Sequence, residues 1–144
     1  MTAEQDGLTA ALKSEYAAVY AYGIVQAYSL AARQTSAAEF IAAHRAQRDA
    51  LAAALIATGV AAPAAAPAYN LPLQAKDATS AAELAVAAEE DCAQAHRELL
   101  ADAGSDGNRR LGLTGLTGAA TRAARWRIAL DAQPSTPAFP GSRG

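Results

Sequence analysis

Glu15, His44 and the acidic run Glu89-Glu90-Asp91 are the residues of this chain whose types could do chemistry. Carboxylates and imidazoles together bind first-row metals. A di-metal helical bundle takes one carboxylate from each of two helices and Glu-x-x-His from each of the other two. Residues i and i+3 lie roughly 60° apart around a helix, so both side chains reach one ion. Here the nearest acid–histidine pairs are Glu39 with His44 and Asp91 with His96, each five positions apart. Five residues turn the helix by about 140°, which aims the two groups at different faces. Neither pair can serve as that motif.

The last helical stretch is poorer still in metal ligands. From Asn108 to Leu130 it contains no Asp, Glu, His or Cys, and offers Arg109, Arg110, Arg122, Arg125 and Arg127 instead. A guanidinium cannot be deprotonated to bind a cation. No standard di-iron or di-manganese cofactor is therefore expected. The competing reading is a mononuclear iron or manganese site built from Glu15, His44 and either Glu89 or Asp91. The favoured reading is a polar core network of Glu15, Tyr22, His44, Arg48, Glu89, Asp91, Arg122 and Arg125. Folding the first two helices about their link sets Arg48 opposite Val19 and Tyr20, one turn from Glu15. Folding the last two sets Glu89 level with Arg122, with Arg125 within a turn. Such pairs cost much to desolvate and need several hydrogen bonds each to survive burial.

Four helices must position these groups. Leu8, Leu12, Glu15, Val19, Tyr22 and Gln26 alternate spacings of four and three, the stripe of a first helix over about 7–33. Ser36 with Glu39 reads as a capping box for a second helix over about 36–58, and Gly59 as its stop. Residues 60–77 carry Pro63, Pro67 and Pro72 and no helical period, so they form a connector. Ser80 or Thr79 can cap a third helix over about 80–103, with Glu83 as the partner of Ser80. A Gly104–Gly107 turn leads to a fourth over about 108–132, and residues 133–144 form a Pro- and Gly-rich tail, with Phe139 suited to an extended strap. Short link, long crossover, short link is the connection pattern of ferritin-like bundles. The expected fold is thus all-α, a ferritin-like four-helix bundle with a long crossover between helices 2 and 3.

Composition bounds the rest. The 144 residues suit one domain, and the apolar fraction of 52% owes much to alanine, which favours closely approaching helices. A net charge of −2 with both signs mixed throughout advertises neither nucleic acid nor anionic lipid. No basic segment with an apolar core opens the chain and no window of about 20 residues is free of polar groups, so a cytoplasmic protein is expected. Cys92 is alone and reads as a small core residue. Gly112, Gly115 and Gly118, three apart, mark a face where another backbone comes close, and with the surplus tyrosines suggest a homodimer surface.

Several strings in order resemble one family. They are Glu15 followed by Tyr20-Ala-Tyr-Gly-Ile-Val25, then His44-Arg45-Ala-Gln-Arg48-Asp49, Tyr69-Asn-Leu-Pro72, Arg125-Trp126 and Ala138-Phe-Pro-Gly141. Together they are similar to the actinobacterial DUF4439 family of uncharacterised ferritin-like proteins, over nearly the whole chain. The resemblance implies a cytoplasmic, dimeric ferritin-like bundle and no established activity. It carries structural importance to Glu15, Tyr22, His44, Arg48, Arg125 and Trp126, and no catalytic residue. The expected role is a non-enzymatic dimeric structural or interaction module. The alternatives are a metal-dependent oxidase or oxygenase with an atypical Glu/His site, and a small-molecule binder using the bundle interior near Tyr22 and His44.

Overall fold

The computed structural model describes residues 1–142. Four helices make up the described chain, with no strand among the described residues: α1 (Ala3–Tyr28), α2 (Gln34–Ala57), α3 (Ala78–Asp102) and α4 (Asp106–Ala129). Among the described residues no helix is long and apolar enough to cross a membrane.

Local chemistry explains each helix start. α1 begins at Ala3, earlier than its apolar stripe suggests, because Thr2 and Gln5 form a reciprocal capping box. It ends at Tyr28 rather than near Arg33, and a single 3-10 turn (Ala31–Arg33) then leads into α2. Ser36 does not cap α2; the helix starts at Gln34 directly from that turn, with no side chain capping it. The cap of α3 is Asp77, whose carboxylate accepts from the Ser80 amide at 2.8 Å, so Ser80 completes the box and Glu83 takes no part. Ser105 accepts from the Asn108 amide and starts α4. Gly59, just past α2, has the positive φ of 87° that favours glycine there.

α1 packs against α2 and α3, and α4 packs against α3 and, more loosely, α2. The Gly7–Leu99 contact at one end and the Tyr22–Glu89 contact further along show α1 running antiparallel to α3. α2 and α3 therefore point the same way, and the connector between them must travel the length of the bundle. It does so along α1: Tyr16 donates to the Pro63 carbonyl at 3.0 Å, and the Tyr20 ring meets the Tyr69 ring at 5.7 Å. Leu71, Leu73 and Ala75 then pack onto the core.

The core is apolar at both ends. One end holds Leu8, Leu12, Leu51, Leu55 and Leu99, the other Val25, Phe40, Ile41, Leu84 and Trp126. Between them lies a thin layer of small residues, Ala18, Cys92, Ala93 and Ala119, and within the same core five polar side chains are buried. Two glycines of the α4 face, Gly112 and Gly115, are buried inside the bundle. A Cβ on Gly112 would sit 3.0 Å from the Leu100 amide nitrogen, and one on Gly115 would overlap the His96 ring. Those two glycines let α4 approach α3, whereas Gly118 is half-buried and meets only Arg122. The tail folds back on the bundle, with Arg97 donating to the Pro140 carbonyl and Arg127 to that of Ser135. Phe139 is exposed, so backbone carbonyls rather than that ring hold the tail down. The last two residues of the expected tail lie outside the described residues.

Candidate functional site: a buried imidazole between two carboxylates

Glu15 on α1, His44 on α2 and Glu89 and His96 on α3 are fully buried. Their stripes bring them together in the middle of the bundle. His44 Nδ1 lies 2.5 Å from Glu15 Oε2, and His44 Nε2 lies 2.9 Å from Glu89 Oε1 and 3.0 Å from Oε2. Both ring nitrogens face carboxylates, so both carry protons and His44 is an imidazolium. His96 Nε2 donates to the other Glu15 oxygen at 2.7 Å.

Glu89 gathers the remaining partners. Tyr22 donates to it at 2.7 Å and itself accepts the Trp126 indole N–H at 2.8 Å. Arg122 Nε reaches both Glu89 oxygens, at 2.9 and 3.1 Å. All four helices thus contribute. The formal charges of Glu15, Glu89, His44 and Arg122 sum to zero, which is how a buried charged layer avoids an uncompensated ion.

The electrostatics follow from these contacts. Burial alone would push the Glu15 carboxyl up, but hydrogen bonds from His44 and His96 outweigh it and hold the pKa down at about 2. Burial would likewise depress His44, yet Glu15 and Glu89 raise it to about 9. Burial and the neighbouring Glu89 push the Tyr22 hydroxyl well above its ordinary value, so it remains a donor. Burial acts to lower Arg122, and the adjacent Glu89 more than reverses this.

Three expected members are placed elsewhere. Arg48 does not pair with Glu15; its guanidinium turns to the neighbouring Asp49 at 2.8 Å, near the surface. His44, one turn earlier, already fills the space beside Glu15 with a shorter side chain. Asp91 is exposed and outside the core. Arg125 is exposed as well, its guanidinium 5.6 Å from the centroid of the Phe40 ring rather than near Glu89. Of the three arginines, only Arg122 joins the layer.

His96 is the member that sequence reasoning missed. Its partner was sought three positions from a carboxylate, whereas Glu89, Cys92 and His96 fall at i, i+3 and i+7 on one face. Seven residues return within roughly 20° of the starting direction, and that spacing was the available signal. His96 Nδ1 has no partner and abuts Gly115: a Cβ there would lie 2.3 Å from it.

Iron or manganese is the cofactor the architecture brings to mind, and the donors fit it poorly. Glu15, His44 and Cys92 do offer three ligand atoms within 4.8 Å of one another. Donors sharing one ion at bonds near 2.1 Å lie roughly 3.4 Å apart in tetrahedral geometry. The carboxylates here instead contact the imidazole directly, and the 2.5 Å between His44 Nδ1 and Glu15 Oε2 is too short for both atoms to share one ion. Ile41 occupies the position three before His44 where Glu-x-x-His needs its glutamate, and α4 brings the Arg122 cation to Glu89. Burial pushes the Cys92 thiol well above its ordinary value, so it is a neutral thiol beside this layer.

The family described as "Domain of unknown function (DUF4439)" matches residues 7–144. A crystal structure of a conserved hypothetical protein, rv2844, from Mycobacterium tuberculosis is similar at 40% identity, with a TM-score of 0.87. That match covers 89% of this chain and 97% of the other. No curated protein matches the sequence.

Proposed function

The chain belongs to the DUF4439 family, and from the layer its helices enclose we propose a ferritin-like bundle whose metal-site positions hold an ion-pair network instead. It acts as a non-enzymatic structural or interaction module, working as a homodimer. The observation that carries this reading is the His44 imidazolium between Glu15 and Glu89. Both carboxylates of that layer are committed to internal partners, and the unpartnered nitrogen, His96 Nδ1, faces Gly115 rather than a cavity that could hold a substrate. The up-down-down-up course, with its crossover along α1, supports the ferritin-like assignment. Exposed Tyr28 and Leu30, at the link between α1 and α2, supply apolar surface that a second copy could cover. A cytoplasmic location fits the free thiol of Cys92.

The competing reading is a metal-dependent oxidase, and the Glu15–His44–Cys92 group is what favours it. Elemental analysis of protein purified without chelator, joined to melting curves with Fe²⁺, Mn²⁺ or EDTA, separates the two. We expect no stoichiometric metal and an unchanged melting temperature. A marked rise with either ion would mean that the folded state binds it, and would overturn the network reading. Sedimentation tests the dimer: a mass near the monomer's 14.6 kDa at micromolar concentration would count against it.

A further inference from the structure

Where the start of α2 meets the end of α4, the surface carries a recess of about 250 Å³. Its floor is aromatic and nearly sealed from water: Phe40 and Trp126, with ring centroids 6.2 Å apart at near-perpendicular tilt. Ile128, two-thirds exposed, forms an apolar wall. Arg33 and Arg125 stand on the rim, Ser36 beside them.

The rim is positively charged, although arginines without a carboxylate partner among the described residues also occur elsewhere, at Arg45, Arg97 and Arg110. The arginine–carboxylate pairs among the described residues are those of Arg48, Arg109, Arg122 and Arg127. Arg33 and Arg125 have none. Arg33 is held by one Nη donating to the Ala129 carbonyl at 3.1 Å, which fixes its direction and leaves its other donors free. Arg125 stacks over Phe40, a contact that orients the guanidinium without neutralising it. No carboxylate lines the recess. α2 also begins there with no side chain capping its first turn, so the positive end of that helix adds to the field.

We propose that this recess binds a small organic acid, one carboxylate on a compact apolar or aromatic body. The body would lie mainly on Ile128, above the exposed edges of Phe40 and Trp126, and the carboxylate would take the guanidinium forks of Arg33 and Arg125. Fixed forks suit a planar two-oxygen anion better than an ammonium would. Burying apolar area beside the charge distinguishes such a ligand from a simple inorganic ion. The recess opens outside the buried layer and meets it at Trp126, whose indole N–H is held by Tyr22.

Trp126 is the only tryptophan, so its emission reports directly on the recess. The probes are 3-phenylpropanoate and octanoate, with 3-phenylpropanol and inorganic phosphate as the body alone and the charge alone. Binding is followed by Trp126 fluorescence and calorimetry. We expect at least one acid to saturate below millimolar concentration, and both controls to bind at least about tenfold more weakly. Arg125→Gln and Arg33→Gln should each weaken the acid at least about fivefold, with Arg125→Lys between wild type and Arg125→Gln. Circular dichroism of each variant checks that the helices persist, and the exposed Arg125 makes its variants the safer pair. The proposal is overturned if neither acid saturates, if the alcohol or phosphate binds as well, or if the variants bind the acid like wild type. It is also overturned if the variants change the sedimenting mass and leave acid affinity alone, which would make the rim a protein interface.

Discussion

The ends of the bundle and its middle solve the same packing problem by different means. At the ends, leucines and aromatic rings fill space, and each contact is small, non-directional and replaceable. In the middle, a few side chains hold one another through directed hydrogen bonds, and His44 is the group that touches both buried carboxylates. Losing a leucine leaves a cavity that the surroundings can partly close. Losing the imidazolium leaves Glu15 with His96 alone and the buried layer with one negative charge in excess. The ends supply the bulk of the apolar burial, and the middle specifies which helix faces which.

That contrast can be broken most sharply at His44. His44→Leu roughly keeps volume yet leaves Glu15 and Glu89 buried around an apolar group, so it should cost about 3–5 kcal/mol or more. Leu51→Ala, at the apolar end, removes volume and no charge, and should cost about 2–5 kcal/mol. Urea denaturation of the two variants decides the matter. If His44→Leu proves the milder, the middle layer is not held by charge as described.

Acidity sharpens the comparison, because the buried acids and histidines lie in the middle layer. The native pKa of His44 is raised from 6.5 to about 9. Its contribution is therefore complete below pH 6.5 and lost as pH rises through 9. The native pKa of Glu15 is depressed from 4.5 to about 2, so its contribution is present above pH 4.5 and lost as pH falls through 2. Stability should form a plateau between those windows and decline on both sides, by on the order of 3 kcal/mol at each extreme. The two limbs share the Glu15–His44 contact and are not added. Unfolding free energies across pH, for wild type and His44→Gln, provide the check, and the variant should lose the alkaline decline.

The smallest effect belongs to Arg48. Its partner is the exposed Asp49, and such surface pairs contribute little. Arg48→Ala should shift stability by no more than about 0.5 kcal/mol. A loss of several kcal/mol would restore Arg48 to the core and displace His44 from its role.

How far the site was legible in the sequence differs residue by residue. Glu15, Tyr22, His44 and Glu89 stand out because polar groups interrupt apolar stripes, and a stripe faces the core whatever the partner. Arg122 was reachable because counting residues back from a short turn sets it level with Glu89. Arg48 and Arg125 misled for a shared reason. Level along the axis says nothing about rotation, and each residue turns the helix by about 100°, enough to send a side chain to the surface. His96 was hidden because its partner lies on the facing α1, 81 positions away.

The sequence by itself determined four helices, their approximate limits and the crossover, since periodicity, prolines and short links are local properties with local causes. It also determined that charge would be buried. Only the tertiary structure decided who neutralises whom. That choice depends on how each helix is rotated and how closely two backbones approach, as where Gly115 admits the His96 ring. Such close approach is set by all the packed side chains at once, and no single segment of the chain contains it.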